Sequence, residues 1–78
     1  MQGYYARLES LRGRLLVSGQ GSWSLELLDA EHSAHPLLDV GVVLKRLLDS
    51  TELDLADFRD EAQAIYDEGD RLFWDIEK

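Results

Sequence analysis

Cysteine is absent from this chain, proline occurs once, and acids outnumber bases two to one. Without cysteine no disulfide braces the fold, and a reducing compartment is the fitting one. No stretch approaches the ~20 apolar residues of a membrane span. The opening residues, Met1 to Arg7, also lack the apolar run of a signal peptide, so a cytoplasmic protein is expected. Eight Lys and Arg against sixteen Asp and Glu leave a formal charge of -8 and a pI near 4.5. The imbalance lies mostly after residue 40, where eleven acids face five bases. Such a field repels nucleic acid and anionic membrane and favours a basic partner. No direct contact with nucleic acid or membrane is therefore expected.

What is present is enough to fold. With 45% hydrophobic residues the chain is no disordered acidic tail. Its 78 residues make one domain. A domain this small buries only about 60% of the surface its unfolded form exposes, so its core is thin.

Tyr4, Leu8, Leu11 and Leu15 recur at helical spacing and predict a first helix from Gly3 to Val17. Gly13 falls on its outer side, and Gly19 is placed as a left-handed cap after Ser18. The next stretch reads two ways. Ser22 is a good N-cap, and Leu25 to Ala34 is rich in helix formers, with Trp23, Leu27, Ala30 and Ala34 on one face. Alternatively, Trp23 to Leu27 alternates and could pair with Arg14 to Ser18, a β-hairpin at about residues 14–28. Only Val17 and Trp23 are strong strand formers there, which favours the helix.

Pro36 suits the first turn of a third helix, Pro36 to Asp49. Leu37, Val40, Val43, Leu44, Leu47 and Leu48 form its broad front, with Leu38 and Val42 behind. A helix apolar on two sides is expected at the centre of the core or at a dimer seam. Ser50 to Leu53 is the break, and Asp54 is placed to cap a final helix running to Lys78, with Gly69 as a possible kink. On that helix Leu55, Phe58, Ala62, Ile65, Tyr66, Leu72, Phe73 and Ile76 gather on one side. Asp54, Asp57, Asp60, Glu61, Asp67, Glu68 and Asp75 gather on the other.

The carboxylate stripe is the strongest hint of a partner. Asp57 and Glu61 are like charges at i,i+4, and Asp75 and Glu77 sit near a helix C-terminus, where the dipole disfavours them. Asp67 to Arg71 offsets part of this with a favourable orientation. A solvated face tolerates such choices, and a basic partner would make use of them. Trp74 projects away from the apolar stripe among acids, which suits an interface anchor. A local alternative is packing on Arg71 as a cation–π pair, or on the first helix if Gly69 bends the last one. Tyr4 and Tyr5 divide, one buried and one at the rim.

Other constellations carry less. His32 and His35 form a His-x-x-His spacing beside Glu31, without a second ligand pair, and read as loop histidines. Gly19-Gln20-Gly21-Ser22 has the glycines of a phosphate loop but neither its lysine nor its preceding strand. No nucleophile has an activating base nearby, and the acids sit at helical-surface spacing, so no enzymatic activity is expected. A helix-turn-helix reading of the last two helices would bring a leading end rich in acids to the phosphates. The seven acids of the stripe stand about 4.5 Å apart along a helix. Duplex DNA carries a charge every ~1.7 Å, so one helix falls short of nucleic-acid mimicry unless a dimer or Glu26, Asp29 and Glu31 assist.

The expectation is thus an all-α, compact four-helix domain with a long acidic C-terminal helix, or else α+β with the hairpin. Its expected role is a non-enzymatic interaction module, an adaptor or inhibitor docking on a basic surface of another protein. The partner-binding residues are Asp57, Asp60, Glu61, Asp67, Glu68 and Trp74, with neither cofactor nor metal. Thin core and apolar third helix together imply a homodimer or a hetero-complex. The alternatives are a nucleic-acid-mimicking inhibitor of a DNA- or RNA-binding protein and a structural homodimerisation module.

Overall fold

The stripe of Tyr4, Leu8, Leu11 and Leu15 gives α1 (Gln2–Val17), and all four side chains are buried. The structure, a computed structural model, describes residues 2–77, the side chains of Gln2, Leu53, Ile76 and Glu77 excepted. Gly19 closes α1 with φ of 83°, a backbone that side-chain-bearing residues resist. Its N–H donates to the Leu16 carbonyl at 3.2 Å, and that of Gln20 donates to the Leu15 carbonyl at 2.8 Å. This two-bond closure satisfies the last carbonyls and turns the chain back on itself.

The reversal leads straight into α2 (Gly21–Glu31), so residues 14–28 are helix, cap and helix, not a hairpin. The Gln20 carbonyl accepts from the N–H groups of Trp23 and Ser24 at 3.1 and 3.2 Å. The helix therefore starts ahead of the Ser22 cap expected from sequence, and Gln20 makes no side-chain capping bond. It also ends early. The His32 N–H reaches the Leu28 and Asp29 carbonyls, and the Ser33 hydroxyl donates to the Ala30 carbonyl at 2.8 Å. These bonds occupy the last turn, and Ala34 lies exposed beyond it instead of extending the Trp23–Leu27–Ala30 face.

α3 (Pro36–Asp49) has the expected bounds, with proline in its first turn, where no N–H is needed. Val40, Val43, Leu44 and Leu47 are buried, while Leu37 and Leu48 pack on the core's edge. Leu38 and Val42 face out.

The rod expected from Asp54 arrives in two pieces. Leu53–Phe58 is a 3-10 helix, and α4 (Arg59–Glu77) follows it. A 3-10 turn has three residues, so Leu55 and Phe58 stack on one side, and both are buried. The Arg59 guanidinium donates to the Ser50 carbonyl at 2.6 Å and ties the start of α4 to the end of α3. Asp54 lies within the 3-10 turn and is exposed; the cap position belongs to Glu52. Ala62 and Ile65 continue the buried face, and Tyr66, Leu72 and Phe73 are half-buried. The Ile76 side chain expected on this stripe lies outside the described residues.

α4 runs through Gly69 as one continuous helix. A Cβ at that position would stand 2.8 Å from Tyr4 Cε1 and 3.2 Å from Cζ, so the missing side chain lets α1 and α4 approach. The Tyr4 ring fills that space and is 1% exposed. Its hydroxyl has no hydrogen-bond partner among the described residues. Burial, reinforced by Tyr5 and by the carboxylates of Glu31 and Glu68, holds the Tyr4 phenol well above its ordinary pKa. Tyr5 meets the Tyr4 ring edge-on at 5.1 Å and is only half-buried.

Each helix packs on the next and α4 closes back on α1, giving an all-α four-helix domain among the described residues. The radius of gyration, 11.8 Å, is close to the ~11.5 Å of a compact domain of this length. No helix among the described residues is long and apolar enough to cross a membrane.

Candidate functional site

α4 carries two lines of acids with different fates. Glu61 and Glu68 lie seven residues apart and turn toward α1, where Arg7 and Arg14 are also seven apart. The helices run antiparallel, so Arg14 meets Glu61 and Arg7 meets Glu68, the latter at 2.5 Å. Two of the six residues expected to bind a partner therefore zip α4 to α1. Their cations are half-exposed, which keeps each pair to ~1 kcal/mol or less. Arg14 also lies over the Phe58 ring, 5.3 Å from its centroid. The like-charge meeting of Asp57 with Glu61 is thereby relieved.

Asp60, Asp67 and Trp74 make the second line. A spacing of seven drifts only ~20° per step on a helix, so the three stack along one stripe. All three are exposed, as is Asp57 in the 3-10 segment. Among the described residues none of Asp57, Asp60 and Asp67 joins an ion pair. The Gln63 amide donates to the Asp67 carboxylate at 2.9 Å, in place of the Arg71 partner expected from sequence.

Trp74 is 58% exposed. Its ring meets Phe73 edge-on at 5.6 Å, and among the described residues it makes no cation–π contact with Arg71. It stands instead on the wall of a groove between α3 and α4, about 240 Å³ in volume. α3 contributes Leu38, Gly41 and Val42, and α4 contributes Tyr66, Phe73 and Trp74. Lys45 and Asp70 mark the rims.

Sequence reasoning singled out Trp74 but not the residues beside it. Leu38 and Val42 already stood apart as the apolar back of helix three. Nothing local says that Trp74 comes to rest next to them. The Arg7/Arg14 and Glu61/Glu68 spacings were a usable signal for the α1–α4 pairing, since equal intervals of opposite charge suit antiparallel helices.

The remaining polar contacts are structural. Arg46 joins α3 to α2 through Glu26 at 2.7 Å and covers the Trp23 ring at 5.6 Å. Arg12 and Glu31 join α1 to α2 at 3.4 Å. His32 Nδ1 faces the Leu28 carbonyl at 3.0 Å, and His35 occupies the cap position of α3. Among the described residues no cluster of His, Asp and Glu could hold a metal ion.

No family model, curated protein or solved structure matches this chain, so the functional reading stands on its own geometry.

Proposed function

We propose that this chain is a non-enzymatic protein–protein interaction module, an adaptor or inhibitor, that docks the outer face of α4 on a basic surface of another protein. The observation that carries it is the exposed line of Asp60, Asp67 and Trp74, with Asp57 ahead of it. Exposed acids steer a basic partner in and set the on-rate; a large half-exposed ring removes apolar area from water and sets the residence time. Glu61 and Glu68 leave the docking set, because the partner would first have to displace Arg14 and Arg7. Their withdrawal also thins the charge along α4, which weighs against nucleic-acid mimicry as the mode of inhibition. A reducing cytoplasm suits a chain without cysteine.

The test is comparative capture from a host lysate at low salt. Species held by the native chain should be lost by Trp74→Ala and by the triple variant Asp57→Asn, Asp60→Asn, Asp67→Asn, while both variants melt like the native chain. Capture that survives both changes would refute the docking face.

A further inference from the structure

The exposed apolar side chains on this side of the molecule converge on one place. Leu38 and Val42 are 51% and 54% exposed, Trp74 is 58% exposed, and all three line the α3–α4 groove. Single exposed apolar residues need no explanation, but a contiguous set rimmed by charge does. The core does not require them out there, since Val40, Leu44 and Leu47 on the same helix are fully buried.

Gly41 keeps the groove open. A Cβ at that position would meet nothing nearer than Tyr66 Cε2 at 3.9 Å, an ordinary contact. Packing therefore does not demand glycine there, and alanine would make the better helix. The consequence of the glycine is space beside Val42 and Trp74 for a side chain from outside.

Charge decides between occupants. Along the outer side of α4 the exposed charges are Asp60, Asp67, Asp70, Arg71 and Asp75, four acids to one base, and Lys45 lines the groove from α3. A second copy would bring the same excess of acid to this face, in a chain whose formal charge is already -8. The three apolar side chains expose on the order of 300 Å². A stable dimer needs ~800 Å² from each partner. A smaller ligand of opposite sign fits both figures better. Leu38, Val42 and Lys45 stand at i, i+4 and i+7, a ridge ~11 Å long that a second helix meets with its own i, i+4 and i+7 positions.

Granting the docking role proposed above, on which this rests, we infer that the groove receives an amphipathic helix of a basic partner. One bulky aliphatic or aromatic side chain seats over Gly41 between Val42 and Trp74, and flanking lysines or arginines meet Asp67 and Asp70. Recognition is then of a helix with an apolar stripe and a basic back, and net positive charge alone is insufficient.

Two synthetic 18-residue peptides of identical leucine and lysine content test this at physiological salt. One places leucine at i, i+4, i+7 and i+11; the other scrambles the leucines so that no apolar face forms. Fluorescence anisotropy should show the patterned peptide binding at least tenfold tighter than the scrambled one. Gly41→Leu, which fills the groove, and Val42→Ser, which strips its wall, should each weaken the patterned peptide tenfold while circular dichroism shows an unchanged fold. Equal binding of both peptides, reduced only by Asp60→Asn and Asp67→Asn, overturns the groove and leaves the acidic docking face standing. No binding of either peptide overturns groove and docking face together. A dimer seen by sedimentation that dissociates in Gly41→Leu makes a second copy the occupant and overturns the basic-helix assignment.

Discussion

Replacing glycine by alanine should have opposite effects at two helical positions of this protein. In an open helix interior the change gains about 1 kcal/mol, because alanine loses less backbone freedom on folding. Gly13 meets that condition, since nothing lies within 4 Å of the Cβ it would acquire. Gly69 does not. There the new methyl would lie 2.8 Å from Tyr4 Cε1 and 3.0 Å from its hydroxyl oxygen. The ring is 1% exposed and enclosed by the core, so it has nowhere to swing. Overpacking of this kind costs about 1–3 kcal/mol, which exceeds the helix gain. Gly13→Ala should therefore raise Tm, and Gly69→Ala should lower it by several degrees, at ~4–8 °C per kcal/mol in a domain of this size. Thermal melts followed at 222 nm read both. The double variant Tyr4→Leu, Gly69→Ala supplies the cycle: with the ring gone, the methyl should be neutral or favourable, giving a coupling of ~1–3 kcal/mol. If Gly69→Ala stabilises the chain as Gly13→Ala does, the close approach of α1 and α4 through Tyr4 is wrong.

Tyr4→Phe should be neutral or stabilising by ~1 kcal/mol, because it removes a buried hydroxyl without a partner among the described residues; a marked loss in chemical denaturation would reveal that the hydroxyl is bonded. The alkaline limb of stability follows from the same residue. The folded-state pKa of Tyr4 is raised above the ordinary 10.0, so stability from its neutral form is full below pH ~10 and declines as the unfolded chain ionises above that value. Melts between pH 8 and 12 should show this decline, and Tyr4→Phe should shift it upward; an unchanged profile would assign alkaline unfolding to another group. Glu61→Gln and Glu68→Gln should each cost ~1 kcal/mol or less, with the difference shrinking at 1 M salt. A larger, salt-insensitive loss would show that these pairs are more deeply desolvated than their exposure indicates.

Much of the secondary structure was legible because its causes are local. The bounds of α3 follow from Pro36 at one end and a polar break at the other. The end of α1 follows from one glycine that tolerates positive φ. Tyr4, Leu8, Leu11 and Leu15 were readable as an inward face from spacing alone, as were Ala62 and Ile65. The 3-10 start of the last segment was not readable. Asp54 and Asp57 look like helix-start residues, whereas the stacked burial of Leu55 and Phe58 and the tether from Arg59 to Ser50 arise only after α3 is in place. Gly69 likewise reads as a weakness in isolation and becomes a contact once Tyr4, far away in sequence, lies against it.

Composition and periodicity alone determined that this chain is acidic and cysteine-free, favoured helix over a hairpin, and marked most of the side chains that α1, α3 and α4 turn inward. These are properties of short segments, where backbone preference and a 3.6-residue repeat act without reference to the rest of the chain. Only tertiary structure decided which carboxylates Arg7 and Arg14 neutralise, and that Leu38, Val42 and Trp74 share one groove. Those outcomes depend on the register between helices separated by tens of residues, which is set by the packing of all four together.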